Sequence, residues 1–156
     1  MGITDRDRHW LRRTVELART AKEAGDAPYG SVLVDADGIE LFADRNRISG
    51  GDHTRHPEFA IARWAAENLS PAGRAGATVY TSGEHCPMCA AAHGWVGLGR
   101  IVYVASAAQV AQWREELDLP IPPVAPLPVT DIVPGAVVDG PDPDLVRQVR
   151  ELFTLG

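Results

Sequence analysis

The chain has 156 residues, 45% hydrophobic and 23% charged, an ordinary globular composition with length enough for one domain and a proper core. Its formal net charge is −6 and its pI about 5.3, which argues against the basic footprint of a nucleic-acid-binding domain. No apolar run approaches the ~20 residues that span a bilayer, and charged and apolar residues alternate over 5–16, unlike a secretory leader.

A cytoplasmic protein is therefore expected, a single domain over residues 1–156. Thr4 is a plausible N-cap, with Asp5 and Asp7 in the first helical turn, where the helix dipole favours acids. Trp10, Leu11, Thr14, Val15, Ala18 and Ala21 recur at helical spacing, and Gly25 ends the helix. Arg6, Arg8, Arg12 and Arg13, interleaved with acids, read as a solvated face. Ser31 to Asp35 reads as a buried strand, Asp37-Gly38 as a tight turn, and Ile39 to Ala43 as the hairpin partner. A polar loop follows, from Asp44 to Arg55.

Pro57 suits the first position of a helix running to about Asn68, with Ile61, Trp64, Ala65 and Leu69 as its apolar stripe. Ser70 to Gly76 reads as a loop and Ala77 to Ser82 as a strand. A short helix is expected from Pro87 to Val96, a strand from Arg100 to Ala105, and a helix from Ala107 to Leu117. The proline-rich stretch Leu119 to Pro128 fits neither a helix nor a central strand. Val129 to Val138 reads as an edge strand interrupted by Pro134-Gly135, and Asp142 to Phe153 as a closing helix. Helices alternating with strands point to an α/β fold, a three-layer α/β/α sandwich.

Cys86 and Cys89 are the only cysteines. In a reducing compartment a C-x-x-C pair favours metal or redox chemistry over a structural disulfide. His56 lies upstream, in His56-Pro57-Glu58. Two thiolates and one imidazole make a three-donor zinc set, and tetrahedral zinc then keeps one position for water. Zinc lowers the pKa of such a water to roughly 7. Glu58, two residues after His56, is placed to shuttle protons without being a ligand. The peptide N–H of Cys86, at the start of its helix, is positioned to support developing negative charge. A closed structural zinc site would need a fourth ligand, for which His53, His85 and His93 are candidates.

His56-Pro57-Glu58 together with Glu84-His85-Cys86-Pro87-Met88-Cys89 resembles the cytidine and deoxycytidylate deaminase superfamily, a zinc-deaminase signature. The resemblance runs from about Trp10 to Phe153 and is closest to the branch of guanine, cytosine and tRNA adenosine deaminases. It implies a mixed five-stranded sheet, a Zn2+ cofactor held by His56, Cys86 and Cys89, Glu58 as proton shuttle, and a homodimer. Pro28-Tyr29-Gly30 and the Asp52 to Arg55 approach match that branch. Asn46 matches a substrate-binding asparagine. Trp95 matches a tryptophan of guanine deaminases and suggests a stacking wall for a purine base.

Three departures stand out. His85 replaces the usual proline before the first cysteine. Pro57 replaces an alanine whose N–H binds the substrate carbonyl in pyrimidine-nucleoside members, which argues against cytidine-like recognition. Ala105-Ser106-Ala107-Ala108 lacks the acidic residue of guanine deaminases. The resemblance thus implies a deaminase of a free nucleobase or related aminoheterocycle, guanine-like by preference. Cytosine or nucleoside deamination is the first rival. tRNA adenosine deamination is disfavoured by the acidic charge and Trp95. A zinc-stabilised interaction module is the non-enzymatic rival, and it has no use for Glu58. Neither nucleic acid nor membrane is an expected partner.

Overall fold

The computed structural model describes residues 2–154. Five strands form one sheet in the order β2-β1-β3-β4-β5. These are β1 (Gly30–Val34), β2 (Glu40–Arg45), β3 (Thr78–Gly83), β4 (Ile101–Ala105) and β5 (Val138–Asp139). β1 runs antiparallel to β2 and β3, while β3, β4 and β5 run parallel. Among the described residues the α-helices are α1 (Asp5–Glu23), α2 (Pro57–Asn68), α3 (Pro71–Gly76), α4 (Pro87–Val96), α5 (Ala107–Glu116), α6 (Val129–Ile132) and α7 (Val146–Thr154).

Strand periodicity sorts the helices into two layers. Val32, Val34, Tyr80, Val102 and Val104 face one side, against Leu11 and Val15 of α1, Val110 and Trp113 of α5, and Val149 and Phe153 of α7. Their neighbours Leu33 and Val79 face the other side, against Ile61, Ala62 and Ala65 of α2. Ile101 and Tyr103 meet Ala90 of α4 and Val129 of α6 on that same side. The expected three-layer α/β/α sandwich on a mixed five-stranded sheet is the observed architecture.

Local chemistry explains most element boundaries. Thr4 and Asp7 form a reciprocal capping box at the start of α1. A Cβ on Gly30 would collide with the Leu17 side chain and the Thr14 carbonyl, so glycine lets β1 begin tight against α1. Ser70 caps α3 and Pro71 opens it, so the expected loop from Ser70 to Gly76 contains a helix.

The expected strand from Val129 to Val138 is corrected. Residues Val129–Ile132 form one helical turn, and only Val138–Asp139 pair with β4, opposite Ile101 and Val102. Val129 is fully buried under Ala90 and Tyr103, so tertiary packing overrides its strand propensity. The closing helix begins at Val146 and not at Asp142. Asp142 is instead buried before it, its Oδ1 accepting from the Asp144 N–H at 3.0 Å. Among the described residues no helix is long and apolar enough to cross a membrane.

The amino ends of β4 and α1 are joined by a half-buried ion pair. Asp7 Oδ1 accepts from Tyr80 Oη at 2.9 Å and from an Arg100 guanidinium nitrogen at 2.8 Å. Its Oδ2 accepts from the second Arg100 nitrogen and from the Thr4 N–H, both at 2.9 Å. Arg100 Nε also donates to Asp139 on β5 at 2.9 Å. Burial alone would raise the Asp7 carboxyl. Hydrogen bonds from Arg100, Thr4 and Tyr80 outweigh it and hold the pKa at about 2.

Because that pKa is depressed below the ordinary value of about 3.9, the stabilisation is present above pH ~4 and is lost as pH falls toward 2. Asp7→Asn should cost about 2 kcal/mol at pH 7. Urea unfolding should show the gap between wild type and variant shrinking on going from pH 7 to pH 2.5. A gap that stays constant across that range would mean the carboxylate charge is not what stabilises the junction.

Candidate metal centre and active site

Two helix starts converge beside the carboxyl end of β3. His56 is the N-cap of α2 and Cys86 the N-cap of α4, and each is followed by proline at the first helical position. The N–H that proline lacks would have no intrahelical partner there, so the helices begin sharply. α2 and α4 pack on each other, which aligns the two N-termini. The loop entering α2 is fixed by Asp52, whose Oδ1 accepts from the Thr54 N–H at 2.9 Å and its hydroxyl at 2.6 Å.

The three predicted donors meet there. His56 Nδ1 lies 3.6 Å from Cys86 Sγ and 3.5 Å from Cys89 Sγ, and the two sulfurs are 3.5 Å apart. Zinc bonded at about 2.3 Å to sulfur and about 2.0 Å to nitrogen would set tetrahedral edges of roughly 3.5–3.8 Å. The triangle therefore has the size of one face of a zinc tetrahedron, and the donor set fits the ion. Among the described residues no fourth His, Cys, Asp or Glu joins this cluster. His53 is exposed in the preceding loop, while His85 and His93 are buried elsewhere. The closed structural site thus lacks its fourth ligand among the described residues.

The cluster's electrostatics follow from its proximity. Hydrogen bonding from Cys89 draws the Cys86 thiol down to about 4, against burial and with help from His56. The Cys89 thiol is pushed up, by its hydrogen bond to Cys86 and by burial, with the charges of Glu58 and Cys86 adding to it. The hydrogen bond to Cys86 also raises His56, against burial. A metal needs these donors deprotonated, so its binding would release their protons.

Glu58 sits in the first turn of α2 and is only 6% exposed. Burial raises its carboxyl to about 7, opposed by His56 and assisted by the Cys86 charge. Glu58 stays outside the donor cluster yet within electrostatic reach of all three donors. Its Oε1 accepts from the Ser31 hydroxyl at 3.1 Å. Ser31 in turn lies 2.8 Å from the Thr81 hydroxyl, both fully buried. Neither hydroxyl was anticipated as a site residue. The available signal was a lone serine inside the otherwise apolar β1 run Gly30–Val34.

Asn46 is 2% exposed. Its carboxamide oxygen accepts from the Ala27 and Ile48 N–H groups at 3.3 and 3.1 Å, so the amide nitrogen is the end left for a ligand. The Asn46 N–H donates to the Tyr29 carbonyl at 3.0 Å, tying it to the start of β1. Tyr29 also belongs here. A Cβ on Gly83 would lie 2.9 Å from its ring, so glycine lets that ring cover the end of β3. Burial raises the Tyr29 hydroxyl; Arg114 opposes this, and the charges of Glu58 and Cys86 add to it. Pro57 is buried at the first position of α2.

Trp95 is not brought to this face. It is 89% exposed, neither in the core nor against the cluster. Six residues separate it from Cys89, and at about 100° per residue it projects from a different side of α4. His85 and His93, candidate fourth ligands by residue type, are in the interior, with rings 5.3 Å apart. His93 Nε2 donates to the Gly99 carbonyl at 2.8 Å. Burial keeps both imidazoles neutral by pushing their pKa down.

Cys86→Ala would leave two donors. It should weaken zinc affinity beyond the ~10–100-fold typical of losing an outer hydrogen-bond partner, and lower thermal stability with it. Competition against a chromophoric chelator checks this. Unchanged affinity would mean the ion sits elsewhere.

A family model for the cytidine and deoxycytidylate deaminase zinc-binding region matches residues 4–105. The chain is 28% identical over 101 residues to a probable cytosine deaminase of Schizosaccharomyces pombe, covering 65% of this chain and 61% of that protein. It is 37% identical over 98 residues to a tRNA-specific adenosine deaminase of Agrobacterium fabrum, covering 62% and 64%. A guanine deaminase of Bacillus subtilis is 32% identical over 104 residues, covering 66% and 67%. The matches thus span less than two thirds of the first two relatives. The solved structure of a guanine deaminase from Nitrosomonas europaea shares the fold at a TM-score of 0.67 and 18% identity, over 93% of this chain and 81% of that one.

Proposed function

We propose that this chain, which belongs to the cytidine and deoxycytidylate deaminase family, is a zinc-dependent aminohydrolase of a free nucleobase or related aminoheterocycle, guanine-like by preference. The observation that carries this reading is a three-donor triangle of zinc dimensions beside a buried carboxylate that is not part of it. A purely structural zinc site would be closed by a fourth protein donor and would have no use for the carboxylate.

His56, Cys86 and Cys89 would hold the zinc, which when bound supplies the Lewis acidity that lets water ionise near neutral pH. Glu58 accepts the water's proton and delivers it to the ring nitrogen beside the amine-bearing carbon, then takes the proton of the newly added hydroxyl, which becomes the oxo group, and hands it to the departing amine. Water and substrate become oxo product and ammonia, with no proton gained or lost. Ser31 holds Glu58 at Oε1 and leaves the other oxygen for these transfers. Asn46 offers its amide nitrogen to an acceptor on the ring. The Cys86 N–H supports the developing charge.

Pro57 has no N–H for a pyrimidine carbonyl, and this favours a purine or triazine over cytidine. The working unit is taken to be a cytoplasmic homodimer, in which exposed Trp95 is free to face a neighbouring subunit. The 37% identity to a tRNA-specific adenosine deaminase favours a second reading, an adenosine in a structured RNA.

Glu58→Gln should retain zinc while lowering turnover by roughly a thousandfold. Metal analysis beside ammonia release separates the two, and joint loss of metal and activity would make Glu58 structural. Screening ammonia release over purines, pyrimidines and aminotriazines should find a free base as the best substrate. Salt-dependent, tight binding of an anticodon stem-loop, with no free base deaminated, would favour the RNA reading instead.

A further inference from the structure

Glu84 follows β3 directly and stands two residues before Cys86. Both of its carboxylate oxygens are engaged by peptide groups. Oε1 accepts from the Ala107 N–H and Oε2 from the Val129 N–H, each at 2.9 Å. The Glu84 N–H donates to the Ala105 carbonyl at 2.8 Å, so its own backbone is anchored to β4. Ala107 opens α5 and Val129 opens α6. First-turn N–H groups have no partner within their own helix. One side chain here serves two helices, and the carboxylate charge strengthens both bonds.

The two residues it joins bracket a single excursion of the chain. Between them lie α5 and the proline-rich strap 119–128, where Pro120, Pro122, Pro123, Pro126 and Pro128 offer no N–H for tethering. Ile121 is 87% exposed and Val124 is 47% exposed, so apolar burial does little to hold this strap down. From inside the excursion, Arg114 donates to the Tyr29 hydroxyl at 3.2 Å and to the Pro120 carbonyl at 3.3 Å. Its guanidinium also lies 5.8 Å from the Phe153 ring centroid. Arg114 therefore connects the strap to the ring that covers the end of β3.

We propose that Glu84 is a positioning residue that clasps both ends of residues 107–129 to the metal-binding loop and thereby sets the Arg114–Tyr29 wall of the substrate pocket. The functional half of this proposal rests on the deaminase reading; the clasp itself does not. An amide cannot replace the carboxylate. Glutamine has one accepting oxygen, and its NH2 group would face a second N–H donor.

The test is Glu84→Gln in the zinc-loaded protein. Hydrogen exchange should show the Ala107 or Val129 amide exchanging about tenfold or more faster, with faster exchange at 119, 121, 124, 125 and 127. Zinc content should match wild type. On the best base from the substrate panel, KM should rise about tenfold while kcat stays within about threefold, the pattern of lost binding rather than lost chemistry.

Wild-type exchange at both amides would overturn the clasp, and so would loss of zinc. A fall in kcat at unchanged KM would overturn the wall. If wild type deaminates nothing on the panel, the deaminase reading fails and the exchange rates alone judge the clasp. If Glu84→Gln does not fold, Ala107→Pro removes one donor without touching Glu84. Proline is tolerated at a first helical position, and Ser106 already has the extended backbone that precedes it. That variant should accelerate exchange across 119–127, and unchanged rates there would overturn the clasp.

Discussion

Three soft donors have to reach one point within about 3.6 Å of each other, and two of them come from a different helix than the third. The packing of α2 against α4 on one face of the sheet makes this possible. Each helix begins with a proline, so each start is sharp, and each N-cap residue carries a donor. Cys89 adds the third donor one turn into α4. If α2 slid by a single turn, about 5.4 Å, His56 would leave the triangle and no metal could bridge the helices. The core that prevents such sliding is Ile61, Ala62 and Ala65 against Leu33 and Val79.

The sheet separates stability from chemistry along its own length. Near the amino ends of β3 and β4, Tyr80 and Arg100 join Asp7 and Asp139 in a charged junction with every strong donor paired. At the opposite end, β1 and β3 contribute the buried hydroxyls of Ser31 and Thr81, and Glu58 leans on the first of these. A buried carboxylate with one hydrogen bond from a hydroxyl is far less settled than one gripped by a guanidinium. That difference is why Asp7 is a poor acid-base group and Glu58 a usable one.

The parts of the chain that were readable in advance were those governed by neighbours in sequence. Pro57 to Asn68 and Pro87 to Val96 are helices with the expected bounds, because proline at the first position and an apolar stripe are local facts. The C-x-x-C pair was legible for the same reason: one helical turn brings the two sulfurs together. Val129 to Val138 was misread because β-branched residues favour strands until burial claims them, and Val129 is claimed by α4 and β4. Trp95 was read by resemblance toward a pocket, and the rotation of α4 carries it outward. His85 was a candidate fourth ligand by residue type, and it is wholly enclosed beside His93, outside the donor cluster.

Sequence by itself determined the donor chemistry, the helices that present it and the alternation that yields a layered α/β sheet. All three follow from residue type and spacing over a few positions. Tertiary structure alone decided that Ser31 meets Glu58 across 27 residues, and that Glu84 gathers the Ala107 and Val129 N–H groups across 23 and 45. Such contacts carry no local signature. They exist because buried polar groups must find partners wherever the packed backbone happens to bring them.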